Sequence, residues 1–177
     1  MDVRSDLPFV RRVEASVMGT EQNVTYSPRK PSHAPESDGA GSDAGRDRLL
    51  VVDDDRTIQA LFREVFAPMG IEVATADSGE EALQMLERGG FQVMFLDLNL
   101  PGITGVDLCQ RIRKDYPFAC IHAITGYASL FEFADCRAAG FDDYFTKPFH
   151  VTAVVKAVTE AFERIRRWEK LRTTWVV

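Results

Sequence analysis

Cysteine is scarce: Cys109, Cys120 and Cys136 are the only three in 177 residues. No two stand in C-x-x-C spacing, so neither a disulfide framework nor a thiolate metal site is indicated. They read as small apolar core residues in a reducing compartment. An excess of positive charge is also lacking. The formal net charge is −6, which argues against a nucleic-acid-binding surface, so no direct nucleic-acid contact is expected. Long hydrophobic runs are missing as well. The early stretch Leu7-Pro8-Phe9-Val10 is cut by Arg11-Arg12 before it can make an export signal, and no run reaches the length of a membrane span. The expectation is a cytoplasmic protein without membrane insertion.

What is present divides the chain unevenly. Residues 27–46 hold four Ser, three Pro and three Gly, and no aromatic or large aliphatic side chain. Such a stretch cannot bury enough surface to offset its conformational entropy. Residues 1–26 carry a few apolar side chains but are too short to fold alone. Residues 1–46 are therefore expected to be a disordered tail, with residues 47–168 as one domain and 169–177 as an extension of its last helix.

From Arg48 onward the pattern is regular. Short apolar runs at 49–53, 71–76, 92–97, 119–124 and 141–146 alternate with amphipathic segments of helical period. Ile58, Leu61, Phe62, Val65, Phe66 and Met69 make one such stripe. Ser78-Gly79-Glu80-Glu81 reads as a capping box, and Ser129 with Glu132 as a second helix start. Strand–helix units with no hairpin signals imply α/β architecture: a five-stranded parallel sheet with helices on both faces, in the flavodoxin-like doubly wound order 2-1-3-4-5. Strand one is then central, between strands two and three.

In such sheets the ligand site lies at the carboxyl ends of the strands. Asp53 and Asp54 end the first apolar run, Asp97 the third, Thr125 the fourth and Lys147 the fifth. Three carboxylates, a hydroxyl and an amine should therefore converge. Oxygen ligands of this kind suit Mg²⁺, which keeps several waters and takes one or two carboxylates together with phosphate oxygens. Asp55 reads as a helix N-cap instead. Asp97, followed by a loop, can act as a nucleophile towards phosphorus and give an aspartyl phosphate. Lys147 can pair with a carboxylate or a phosphoryl oxygen. Pro148 after it makes a cis bond accessible, and Gly126 leaves room beside Thr125.

The segments LLVVDDD, FLDLNLPGITG, AITGYA and DYFTKPF resemble, in order, the signature segments of the bacterial two-component response regulator, in its receiver (chemotaxis-regulator-like) domain. The resemblance spans about residues 47–168. It implies transfer of a phosphoryl group from the phosphohistidine of a sensor histidine kinase, or from a phosphotransfer protein, to Asp97. It implies Mg²⁺ held by Asp53, Asp54, Asp97 and the backbone carbonyl of Asn99. Thr125 would bond the phosphoryl group and Lys147 pair with it, while Tyr144 would turn inward as Thr125 moves. Such a domain catalyses only its own phosphorylation and dephosphorylation, so it is not expected to be an enzyme in the usual sense.

Two departures stand out: the bulky Tyr127, and the apolar pair Phe131 and Phe133 where acidic or small residues are usual. The stripe Val151, Val154, Val155, Val158, Ile165 continues through Trp168 towards Leu171 and Trp175. Phe131, Phe133 and Trp168 are thus candidates for a surface that binds a downstream protein or a second copy through helix 4, strand 5 and helix 5. With no output domain after the last helix, a single-domain regulator that controls a partner or relays the phosphoryl group is expected. Two other readings stay open. An aspartyl phosphatase built on Asp53-x-Asp55 would need an acidic metal pair after the lysine, where only Glu160 and Glu163 follow. A scaffold indifferent to phosphorylation would bind partners in either state.

Overall fold

The computed structural model describes residues 47–126 and 130–174. Expectations placed on residues 1–46, Tyr127, the Ser129 cap, the Phe131 side chain and Trp175 fall outside the described residues. The strands are β1 (Arg48–Val52), β2 (Glu72–Ala76), β3 (Val93–Asp97), β4 (Cys120–Thr125) and β5 (Asp143–Thr146). The helices are α1 (Arg56–Phe66), α2 (Gly79–Glu87), α3 (Gly105–Asp115), α4 (Leu130–Ala139) and α5 (Val151–Thr174). All four strand pairings are parallel and the order is 2-1-3-4-5. The doubly wound α/β fold read from the sequence is the fold observed.

Local chemistry sets the element ends. Asp55 caps α1, its Oδ1 accepting the Thr57 N–H at 2.7 Å. A 3-10 turn, Ala67–Met69, follows α1, and Gly70 closes it at φ 72°, a left-handed conformation that glycine adopts without steric cost. Ser78 Oγ caps α2 by accepting the Glu81 N–H at 3.2 Å. The expected reciprocal bond differs by one residue: Glu81 Oε2 accepts from the Asp77 N–H at 2.7 Å, so the carboxylate also ties down the chain before the cap.

Alternation along the strands splits the core in two. Leu50, Val52, Met94, Leu96, Ile121 and Ala123 face one side, with Leu108 and Ile112 of α3 and Cys136 of α4 packed there. Leu49, Val51, Phe95, Cys120 and Ile124 face the other, against Phe62 and Phe66 of α1 and Val154, Val158 and Ile165 of α5. Burying a Leu, Val or Phe side chain contributes about 1.5–3 kcal/mol relative to exposure, and β1, β3 and β4 are covered on both faces. All three cysteines are buried thiols outside any disulfide, and burial pushes the Cys109 thiol up to about 12.

The end of α5 departs from its stripe. Val158 and Ile165 are buried, whereas Trp168 and Leu171 are 63% and 52% exposed. The helix runs on without a break to Thr174, but its packing against the sheet stops at Ile165. Residues 169–174 continue α5 beyond the part that packs on the sheet.

Candidate functional site

Strand register brings the chemistry together. β1 pairs with β3 so that Val52 lies opposite Leu96, which puts the Asp53-Asp54 step beside Asp97. Asp97 lies opposite Ile124 and Thr125 opposite Thr146, so Thr125 and Lys147 close the same end from the other side. Carboxylate oxygens of Asp53, Asp54 and Asp97 lie within 4.8 Å of one another. Asp53 and Thr125 are fully buried and Asp97 is 5% exposed, while Asp54 stands out to solvent.

Lys147 bridges the two buried acids. Its Nζ is 2.6 Å from Asp97 Oδ2 and 2.8 Å from Asp53 Oδ2. The second contact is an ion pair off the hydrogen-bond axis, so Asp53 Oδ2 is buried without an aligned donor. The remaining oxygens are held by backbone: Asp53 Oδ1 accepts the Asp55 N–H, and Asp97 Oδ1 the Asn99 N–H, each at 2.9 Å. Burial raises the Asp53 carboxyl above its ordinary value, a tendency only partly offset by Lys147 and the Asp55 N–H. For Lys147 burial works against the charged form, but bonds to Asp53 and Asp97 outweigh it and raise its pKa.

Three carboxylates face one ammonium, and one buried oxygen lacks an aligned donor. Both features fit a divalent cation with a preference for oxygen. Asp53, Asp54 and Asp97 would supply its side-chain ligands. Asn99, on the loop directly after Asp97, is exposed and turns its N–H to Asp97. Such an ion would neutralise charge on a bound phosphoryl group.

The Lys147–Pro148 peptide bond is cis, and the Lys147 N–H donates to the Thr125 carbonyl at 2.7 Å, joining the last two site residues through backbone. Tyr144 is half-buried, its ring 6.1 Å from that of Phe133 at 77°. Phe133 is 52% exposed. Trp168 is not part of this face, because it lies past the N-terminal end of the sheet. A Cβ at Gly126 would meet nothing within 4 Å, so the space beside Thr125 does not require glycine.

Two positioning residues escaped the sequence reading. Gly105, the first residue of α3, sits so close to the end of β3 that a Cβ would fall 2.1 Å from the Asp97 carbonyl oxygen. Glycine at the start of a helix runs against propensity, and that conflict was the available signal. Gln59 is buried on α1 and donates to the Asp53 carbonyl at 2.8 Å and to Asp77 Oδ1 at 2.5 Å. A lone glutamine beside an apolar stripe offers no such signal.

Comparison with known proteins converges on this geometry. A family model for the response regulator receiver domain matches residues 49–159. The chain is 31% identical over 121 residues to the chemotaxis protein CheY of Pseudomonas aeruginosa, covering 67% of this chain and 98% of that protein. It is 39% identical over 124 residues to the virulence sensor protein BvgS of Bordetella pertussis, covering 66% of this chain but only 10% of the relative. The chain thus spans nearly all of one relative and about a tenth of the other. A CheY-like receiver domain from Methanospirillum hungatei superposes with a TM-score of 0.66 at 29% identity, covering 69% of this chain and 98% of that one. Sheet order, strand-end acids and sequence agree: the chain belongs to the response regulator receiver domain family.

Proposed function

We propose that this protein is a cytoplasmic phosphorylation switch that accepts a phosphoryl group on Asp97 from a sensor histidine kinase or a phosphotransfer protein, with Mg²⁺ bound by Asp53, Asp54 and Asp97. The carrying observation is the Lys147 ammonium set between Asp53 and Asp97, at 2.8 and 2.6 Å. In the transfer an Asp97 carboxylate oxygen forms a bond to phosphorus while the phosphorus–nitrogen bond of the phosphohistidine breaks. Lys147 is then within reach of the incoming phosphoryl oxygens, and the Thr125 hydroxyl is a second donor at the same strand end. The protein's catalysis is confined to its own modification.

The output follows from the same groups. Movement of Thr125 towards a phosphoryl group lets the Tyr144 ring swing inward and changes its contact with Phe133. Differential partner affinity for the two arrangements carries the signal. The face of α4, β5 and α5 around Phe133 is the one we assign to a downstream protein or a second copy. The aspartyl phosphatase reading is disfavoured because Asp55 is engaged as the α1 cap and Asp97 would have no role.

Incubation with acetyl phosphate and Mg²⁺ tests the proposal. One base-labile phosphoryl group per chain is expected on the wild type and none on Asp97→Asn. Equal labelling of that variant would overturn the assignment.

A further inference from the structure

Three residues of α1 are buried, Gln59, Phe62 and Phe66, and only Gln59 is polar. A buried primary amide costs free energy unless its hydrogens find acceptors. Gln59 Nε2 has two hydrogens and meets two acceptors, the Asp53 carbonyl at 2.8 Å and Asp77 Oδ1 at 2.5 Å. The acceptors stand at the ends of neighbouring strands, because β1 pairs with β2 in parallel with Val52 opposite Ala76. Asp53 and Asp77 are each the first residue past its strand.

The Asp53 carbonyl belongs to the peptide that joins Asp53 to Asp54, the two acids that the end of β1 contributes to the acidic trio. A peptide unit is planar, so whatever fixes its carbonyl fixes the direction in which the chain passes from one acid to the next. The Asp53 N–H donates to the Ala76 carbonyl at 3.1 Å, and the Asp53 carboxylate meets Lys147 and the Asp55 N–H. None of these contacts is made by the carbonyl itself. Asp77 is anchored in turn: its N–H donates to Glu81 Oε2 at 2.7 Å, and its Oδ2 lies 3.7 Å from Arg56. The Gln59 amide therefore ties the acid-bearing peptide to the turn that opens α2.

We infer that Gln59 is a positioning residue for the metal, an inference that rests on the Mg²⁺ site proposed above. Its amide holds the Asp53–Asp54 peptide where both carboxylates reach one cation, and Asp77 holds the amide. The role is geometric, because a neutral side chain adds no charge that attracts the ion. Groups that orient metal ligands in this way commonly change affinity about ten- to a hundredfold when removed. The need for two donated hydrogens also selects the residue type. An ionised Glu has none to give, Met fills a similar volume without a donor, and Asn is one methylene short.

The test titrates the full chain with Mg²⁺ alone and follows the amide chemical shifts of Asp54 and Asn99. Gln59→Met is expected to bind Mg²⁺ about tenfold more weakly than wild type. The Mg²⁺ needed for half-maximal labelling by acetyl phosphate should rise by the same factor, while the rate at saturating Mg²⁺ falls less than about twofold. Asp77→Asn loses the charge but keeps an oxygen for the Gln59 hydrogen, and should stay within about twofold of wild type; Asp77→Ala loses both and should weaken Mg²⁺ about fivefold. That pair decides the matter even where Gln59→Met does not fold. Phe66→Leu, a fully buried position on the same helix, should lower the urea midpoint and leave Mg²⁺ affinity within about twofold. Equal Mg²⁺ affinity in Gln59→Met and wild type would overturn the role of Gln59. So would equal losses in Asp77→Asn and Asp77→Ala, or a loss in Phe66→Leu as large as that in Gln59→Met. Failure of the wild type itself to bind Mg²⁺ would instead sink the metal site, and this inference with it.

Discussion

Lys147 Nζ stands 2.6 Å from Asp97 Oδ2, so the cation of the fifth strand end is already paired with the carboxylate of the third before any phosphoryl group arrives. Its second partner, Asp53, is fully buried. Without the ammonium, the site's acids would face each other with no counter-charge. Lys147→Met is therefore expected to lose about 2 kcal/mol of stability in the presence of a chelator. Mg²⁺ should restore part of that loss, since a cation replaces the missing charge. Urea midpoints with and without Mg²⁺ measure it; an unchanged midpoint in chelator would show that the Lys147 ammonium does not stabilise the buried acids.

The acidic trio sets a second expectation. Asp54 is the exposed member of the group whose oxygens lie within 4.8 Å. Asp54→Ala should keep the fold and weaken Mg²⁺ binding at least about tenfold, since a carboxylate ligand is lost. Titration followed by amide chemical shifts at Asp53 and Asn99 reads the affinity. Equal affinity in the variant would remove Asp54 from the site.

Gly105 provides a stereochemical test. A Cβ there falls 2.1 Å from the Asp97 carbonyl oxygen, a backbone atom with little room to yield. Gly105→Ala should cost about 2 kcal/mol or more and slow phosphorylation of Asp97 by displacing the strand end. Gly126→Ala is the control: with nothing within 4 Å, it should stay within about 0.5 kcal/mol of wild type. Equal stability of the two variants would contradict the packing at the start of α3.

His122 on β4 predicts a pH dependence. It is 5% exposed, with both ring nitrogens lacking a hydrogen-bond partner. Phe95 and Phe145 pack against it at 4.7 and 6.0 Å. Burial lowers its pKa to about 4, against opposing pulls from Asp142 and Asp143 and with small contributions from Arg164 and Arg113. The folded state therefore prefers the neutral ring. Stability due to this preference is complete above the ordinary value near 6.5 and is lost as pH falls towards 4. Between pH 7.5 and 5 the loss is about 2 kcal/mol. His122→Leu should flatten that dependence and raise stability at neutral pH by removing two unsatisfied nitrogens. Parallel pH slopes for variant and wild type would mean that His122 does not carry the effect.

Fold and site were legible here for particular physical reasons. A strand buried on both faces must be continuously apolar, so Leu49–Val52 and Val93–Leu96 announced themselves, and an acid directly after such a run has few structural explanations. Parallel connection by helices limits the order of the strands, which puts those acids at one end. By contrast, local pattern says nothing about where a partner atom lies. The role of Gly105 depends on a backbone oxygen eight residues away, and that of Gln59 on a carbonyl and a carboxylate from two other segments. The apolar stripe of α5 is continuous in sequence through Trp168, but the sheet beneath it ends, and only the fold decides that.

Side-chain type and period determined the five strands, their helices and the convergence of Asp53, Asp54, Asp97, Thr125 and Lys147, because those follow from burial and right-handed connection alone. Tertiary structure alone decided which oxygen each donor meets, that Asp53 Oδ2 is left without an aligned bond, and that Phe133 and Trp168 stand on different surfaces. Those are matters of distance between segments far apart in the chain, and hydrophobic periodicity carries no information about them.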